Sequence, residues 1–401
     1  MTDNWQRKTT LFLASQSISL FGSSLVQYAI LWYITLQTQS GVMMTISIIC
    51  GFVPTFFLSP FAGVWADRYN RKLLIIFSDS LIAFSTLILA ILFLMGYNFI
   101  WLLFLMSSIR SIGSGIQNPA VGAFLPQFVP KDKLTKVNGI NSSIQAAIML
   151  LSPMLSGAIL TFASIEKIFF IDVITAAIAV LTLLFFLKVP PHAKALEKQN
   201  LSYFGDLKAG LSYIKHHSYL KDFFIFCAFF FFLIAPGATL TPLQVTRTFG
   251  NQVWRLTSIE VAFSIGMIVG GILISTLGGF KNKIHTMGLA VITMGVCTFA
   301  LGVVPNFWVY LGIMLIYGIV IPLYHTPATV ILQTTVEDEF RGRVFSVLSM
   351  IAGSIVPLSM LVFGPLADMV KIEYILIVTG VLLLILSFFF VRNKTLLAHG
   401  K

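Results

Sequence analysis

Of the 401 residues, 57% are hydrophobic and 10% charged, the formal net charge is +11 and the mean hydropathy is +0.92. Soluble globular chains carry about 25% charged and about 45–50% apolar residues, and core volume grows too slowly with length to hide this excess. The composition therefore points to an integral membrane protein and excludes a cytosolic enzyme, a disordered tail and a disulfide-rich secreted module.

A hydrocarbon core of about 30 Å takes roughly 20 apolar residues in helix. Twelve runs meet that length: 11–36, 42–66, 73–95, 99–124, 137–163, 168–187, 221–246, 256–278, 284–304, 307–332, 343–367 and 372–391. They are too long for strands and lack period-2 alternation, so the reading is helical. Trp5, Arg7 and Lys8 precede the first run, which is too long for a signal-peptide core. Cys50, Cys227 and Cys297 lie far apart inside apolar runs and read as small buried residues rather than disulfides or metal ligands.

The basic residues come as short islands, with no continuous face to track a nucleic acid. All 26 lie at one side of the spans except Arg110, Lys167, Arg247, Arg255 and Lys371. By the positive-inside rule both termini are cytoplasmic. The longest polar stretch, 188–220, divides the spans six and six, which predicts bundles at 1–187 and 221–401. Within it Phe204, Leu207, Leu211 and Ile214 recur at helical spacing and read as a short amphipathic interfacial helix, or simply a linker helix.

The halves repeat. Gln117-Asn118-Pro119-Ala120 returns as His325-Thr326-Pro327-Ala328, and Pro153 in span five matches Pro357 in span eleven. Six spans per copy make the repeats parallel, the plan of carriers that bind substrate near the membrane midplane.

The strongest short motif is Gly63-Val64-Trp65-Ala66-Asp67-Arg68-Tyr69-Asn70-Arg71-Lys72, between spans two and three. It resembles the loop signature of the major facilitator superfamily. The fold so implied is all-α, with twelve transmembrane helices in two six-helix bundles. Asp67 can approach the positive end of a neighbouring helix, here span eleven near Arg341 and Arg343, while Arg71 bonds the same carboxylate or a carbonyl. Arg68, Lys72 and Asp79, the last placed to organise Arg68 or Arg71, complete a cytoplasmic gate. Gly364-Pro365-Leu366-Ala367-Asp368 imitates the motif at the opposite side and reads as no second gate; Gly279-Phe280-Lys281-Asn282-Lys283 keeps the basic charge without the acid.

Nearly end to end the chain also resembles bacterial macrolide-efflux proteins, through Arg110-Ser111-Ile112-Gly113, Ile171-Asp172-Val173, Ile259-Glu260-Val261-Ala262-Phe263 and Arg341-Gly342-Arg343-Val344-Phe345-Ser346. The antiporter pattern Gly-Pro-x-x-Gly-Gly is here Ser152-Pro153-Met154-Leu155-Ser156-Gly157, which keeps the bend and the small residues but departs at the glycines.

Charges inside spans are costly and usually functional. Arg110, mid-depth in span four, resembles an arginine the superfamily associates with proton transfer; it either modulates a neighbouring carboxylate or forms a static ion pair. Asp172 and Glu260 are proton-accepting candidates or ordinary interfacial carboxylates. His325 is a proton-coupling candidate or a hydrogen-bonded core histidine. Gln16, Gln27, Tyr28, Trp32, Phe52, Phe56 and Pro236, the last marking a break in span seven, are candidates for a cavity that takes bulky amphiphiles, cations included. No Gly-x-x-x-x-Gly-Lys phosphate loop and no metal cluster is present, so no cofactor is expected.

The resemblance implies a drug/proton antiporter of hydrophobic amphiphiles, macrolides first, monomeric in a bacterial cytoplasmic membrane. The alternatives are export of a siderophore or other native amphiphile, and an accessory role beside an ATP-binding-cassette pump.

Overall fold

The computed structural model of the chain describes residues 5–187, 189 and 203–399, the side chains of 60, 67, 203–208, 338, 339 and 399 apart. The expected Pro190-Pro191 start of the linker lies outside the described residues, as do the side chains of Asp67, Phe204 and Leu207.

The described residues form helices and connecting turns: α1 (Trp5–Thr38), α2 (Gly41–Arg68), α3 (Arg71–Leu94), α4 (Ile100–Phe124), α5 (Leu134–Phe162) and α6 (Ile165–Leu181), then α7 (Tyr203–His216), α8 (Ser218–Thr239), α9 (Thr241–Thr248), α10 (Val253–Leu277), α11 (Lys283–Leu301), α12 (Phe307–Thr335), α13 (Asp338–Met369), α14 (Ile372–Arg392) and α15 (Lys394–His399). All twelve expected spans are present, the seventh as α8 continued by α9. Eleven spans are long and apolar enough to cross a bilayer by composition alone; α4, diluted by Arg110, three glycines and polar side chains, is the other.

The break in the seventh span lies later than expected. Pro236 sits inside α8, and the chain turns at Leu240, after which Pro242 opens α9. A proline lacks only its own amide, and a helix can absorb that loss, whereas the first turn of a new helix suits proline well.

Loop chemistry follows the repeat. Asn70 caps α3 by accepting from the Lys72 amide at 3.1 Å, and Asn282 caps α11 by accepting from the Ile284 amide at 3.0 Å. The second-half loop has thus kept the capping asparagine although it lacks the acid. Gly278 ends α10 at φ +71°, a conformation that favours glycine.

Two compact units result. One contains α1–α6; the other contains α7–α15 together with Thr38–Thr45, the turn between α1 and α2 and the first residues of α2. The amphipathic helix of the expected linker therefore clusters with the second unit. Ile214 is buried in that unit's core, and Tyr213 stacks on Phe340 with ring centres 4.4 Å apart.

In the first unit Phe12, Phe124 and Phe128 meet edge to face at 5.1–5.9 Å, over Ile75, Leu183 and Leu187. In the second, Phe226 stacks on Phe390 at 3.8 Å and Phe230 on Tyr324 at 4.3 Å. Its closest helix pair is α10 with α12: a Cβ at Gly266 would press on the Leu315 carbonyl, one at Gly270 on that of Ile319, and one at Gly318 on that of Phe263. Backbone meets backbone there, the approach that small residues permit between membrane helices.

Candidate functional site

The first unit holds a polar seam. On α1 Gln16, Ser19 and Ser23 follow at three- and four-residue steps; α3 contributes Asp79 and Thr86, and α4 Arg110 and Gln117, each pair seven residues apart. Seven residues are about two helical turns, so each pair lies on one face about 10 Å apart along its helix. The seam therefore has two layers.

In one layer Arg110 and Asp172 form an ion pair at 2.5 Å, with 10% and 0% of their side chains exposed. Arg110 also donates to the Ser23 carbonyl at 3.1 Å and to Thr86 Oγ1. Asp172 accepts from Ser23 Oγ at 3.1 Å and from Thr86 Oγ1 at 3.0 Å. Each charge thus has hydrogen-bond partners beyond the other, which a buried pair requires.

In the other layer Asp79, 1% exposed, accepts from Ser19 Oγ at 2.7 Å, from Gln117 Nε2 at 2.8 Å and from Gln16 Nε2 at 3.4 Å. The expectation that Asp79 organises Arg68 or Arg71 is corrected. Asp79 lies eight residues, more than two turns, along α3 from Arg71, and its hydrogen-bond donors are neutral. Gln16 is likewise tied to Asp79 and to Gln117.

The basic residues of the 63–72 loop hold helix ends. Arg71 donates to the carbonyls of Ala66 and Ala123, each at 2.8 Å, in the last turns of α2 and α4. Lys72 donates to the Leu187 carbonyl at 2.9 Å, just past the π-helical turn that continues α6. Cations at the negative ends of helices are favourable. Arg68 is exposed at the end of α2. At the start of α13, Arg343 lies over the Phe340 ring at 5.3 Å, and Arg341 reaches the Val336 carbonyl at 3.5 Å.

Asp368, set aside in the sequence, has a definite task in the second unit. Its carboxylate accepts from the amides of Gly41 and Val42 at 2.7 and 3.0 Å and from Ser40 Oγ at 2.6 Å. Arg247 pairs with it at 2.7 Å and also donates to the carbonyls of Ala367 and Gln39. The acid thus caps the first turn of α2, and Arg247 from α9 holds both.

The second unit also contains a cavity of about 210 Å³, walled by α8, α10 and α12. Its rings include Phe230, Phe263, Tyr317 and Tyr324; Glu260 from α10 and His325 from α12 reach it. Among the described residues no donor is bonded to the Glu260 carboxylate. His325 is exposed and touches Tyr324 edge-on at 5.3 Å, so it is no hydrogen-bonded core histidine. Of the remaining cavity candidates, Gln27 and Phe56 are exposed and Tyr28 and Phe52 half-buried. Trp32 is wholly buried, so it presents no surface to a substrate, and Pro236 is buried within α8.

Residues 12–356 match the family model described as Major Facilitator Superfamily. The chain belongs to the major facilitator superfamily. It is a multi-pass membrane transporter of that fold, twelve helices in two bundles. Macrolide efflux protein A of Streptococcus pyogenes is 26% identical over 387 residues, covering 96% of this chain and 95% of that one. The staphyloferrin A transporter of Staphylococcus aureus is 25% identical over 397 residues, covering 96% of each. Among solved structures, a bacterial homologue of the lysosomal transporter Spinster, inward-facing and unoccupied, superposes with a TM-score of 0.73 at 14% identity, covering 100% of this chain and 99% of that one.

Proposed function

We propose that this superfamily member is a proton-driven exporter of hydrophobic amphiphilic drugs, macrolides foremost, in a bacterial cytoplasmic membrane with both termini inside. The observation that carries the reading is the aromatic cavity with one carboxylate and no lysine or arginine among its walls. Such a surface suits a bulky apolar molecule with a cationic group better than an anionic cargo. The likeness to macrolide efflux protein A along 96% of the chain supports it. A carboxylate-rich siderophore would meet Glu260 in the cavity and an Arg110 already committed to Asp172.

The ionisable groups divide by role. Arg110 and Asp172 form the fixed electrostatic centre of the first unit. Asp79 and Glu260 have no cationic partner among the described residues, which leaves a proton as their natural counter-charge. Asp67, Arg68, Arg71 and Lys72 act at the gate, where Arg71 and Lys72 clasp helix ends that must stay aligned while access alternates.

The test is accumulation of a labelled macrolide in drug-sensitive cells expressing the chain, before and after a protonophore. Low accumulation that rises on collapse of the gradient, and is lost in Asp67→Asn at matched membrane expression, is the expected result. Unchanged accumulation at verified expression overturns autonomous macrolide export and turns attention to another cargo or to an ATP-binding-cassette partner.

A further inference from the structure

The cavity of the second unit has features that an unspecific apolar pocket does not need. Phe230 and Tyr324 stack at 4.3 Å with planes 28° apart, and Phe263 and Tyr317 lie 6.3 Å apart at 43°. Glu260 reaches the same space as the one acidic residue among the walls, and no arginine or lysine lines it. The nearest arginine in sequence, Arg255, five residues earlier on α10, has its guanidinium over Trp254 and Phe307 at 5.3 and 5.4 Å. The buried Tyr317 hydroxyl finds no hydrogen-bond partner of ordinary geometry, and Gly237 stands where a Cβ would come within 3.1 Å of it.

Size narrows the occupant. Pockets for drug-sized ligands run to about 300–1,000 Å³, whereas this one is about 210 Å³. It holds one end of an amphiphile and not the whole. An anionic end is repelled by the carboxylate, and a neutral end leaves it to a proton and gains nothing from it. An alkylammonium end satisfies every wall: its N–H faces the carboxylate, and its N-methyl groups, which carry much of the positive charge, face aromatic rings.

We infer that this cavity is a subsite for the protonated amine end of a larger amphiphile, with Glu260 as counter-ion and Phe230, Phe263, Tyr317 and Tyr324 as the aromatic walls. The inference deepens the proposed export function and rests on it only for the identity of the cargo. The subsite itself belongs to the second unit alone.

The experiment uses the full-length protein in detergent and in nanodiscs, with protonated N,N-dimethylbenzylamine, an ammonium that keeps one N–H, as the cationic probe and benzenesulfonate as its anionic counterpart. Calorimetric titration of wild type is expected to show binding of the ammonium and none of the sulfonate at the same concentration. Glu260→Gln is expected to weaken ammonium binding by about tenfold or more, and Phe230→Leu by several-fold. Glu260→Asp keeps the charge and is expected to keep the cation preference, which separates a counter-ion from a merely structural residue. Melting temperatures within a few degrees of wild type confirm that each variant is folded. Ammonium binding within twofold of wild type in Glu260→Gln, or equal binding of the two probes by wild type, overturns the inference.

A second arm separates this inference from the export function. An amine-bearing macrolide and the same macrolide with that nitrogen converted to an amide are compared for export by wild type and Glu260→Gln. Probe binding that depends on Glu260 without export of either macrolide leaves the subsite standing and removes the cargo assignment. Export of both macrolides at equal rates by both proteins keeps the exporter and removes the subsite.

Discussion

Replacing Asp172 by leucine should damage the first unit more than replacing both members of its ion pair. In wild type the Arg110 guanidinium is held by Asp172 at 2.5 Å, by Thr86 and by the Ser23 carbonyl, at a depth where its side chain is 10% exposed. Asp172→Leu removes the compensating charge and leaves the guanidinium facing a hydroxyl and a carbonyl. Breaking a buried pair in this way costs about 3–5 kcal/mol, whereas exchange of both partners for apolar side chains of similar volume is often near neutral. The double variant Arg110→Met with Asp172→Leu strands only Ser23 and Thr86; Thr86 already bonds the Ile82 carbonyl at 2.9 Å, and a serine hydroxyl in a helix can turn to a carbonyl one turn back. It should therefore recover about 2–4 kcal/mol of the single-variant loss. The assay is unfolding of wild type, both single variants and the double variant in one detergent, by intrinsic fluorescence against temperature and denaturant. If the double variant loses the sum of the two single-variant losses, with a coupling below about 1 kcal/mol, the pair is not the electrostatic unit described here.

Three further perturbations have definite expected outcomes. Gly318→Val and Gly266→Val push side chains into opposing backbone carbonyls and should cost about 3 kcal/mol or more, seen as poor expression and early melting; Gly271→Ala and Gly312→Ala, with open space at the Cβ, should behave as wild type. Asp368→Asn removes the charge that caps α2 and pairs with Arg247, and should lower stability by about 1–2 kcal/mol in thermal unfolding; a loss no greater than in Asp132→Asn, whose pair with Lys133 is exposed, would contradict the cap. Asp79→Asn offers Ser19, Gln16 and Gln117 one acceptor oxygen in place of two and should cost about 1–3 kcal/mol, while Gln117→Glu, which sets two carboxylates face to face, should cost more in the same unfolding assay.

The twelve spans, their division and the superfamily motif were legible in the sequence because each rests on many residues: apolar length, the side chosen by basic residues and an extended loop signature. The asparagine caps at 70 and 282 carry the repeat into the second-half loop, which lacks the acid. The polar seam also has a signal in the sequence. Gln16 and Ser23, Asp79 and Thr86, and Arg110 and Gln117 are each seven apart, which places them on single helix faces. That spacing does not say which helices pair, so proximity in sequence points Asp79 to the nearby arginines, whereas α1 and α4 meet it in space. Trp32 and Pro236 are buried, which their sequence does not reveal. An aromatic or a proline in a span has the same composition whether it faces a cavity or a core, and only its neighbours in space distinguish the two. Asp368 looked like an imitation of the gate motif because the start of α2, more than 300 residues earlier, had no sequence link to it.

The glycine contacts between α10 and α12 determine where this transporter can be permissive. Backbone laid against backbone leaves no rotamers to adjust, so Glu260 on one helix and Tyr317, Tyr324 and His325 on the other are set at fixed spacing, like points on a single casting. Differences in cargo shape must then be absorbed by the opposite wall, where α8 meets the cavity through the side chain of Phe230, stacked on Tyr324 rather than locked backbone to backbone. Variants that broaden or narrow the range of accepted molecules should collect along α8, and those along α10 and α12 should alter whether a molecule is accepted at all.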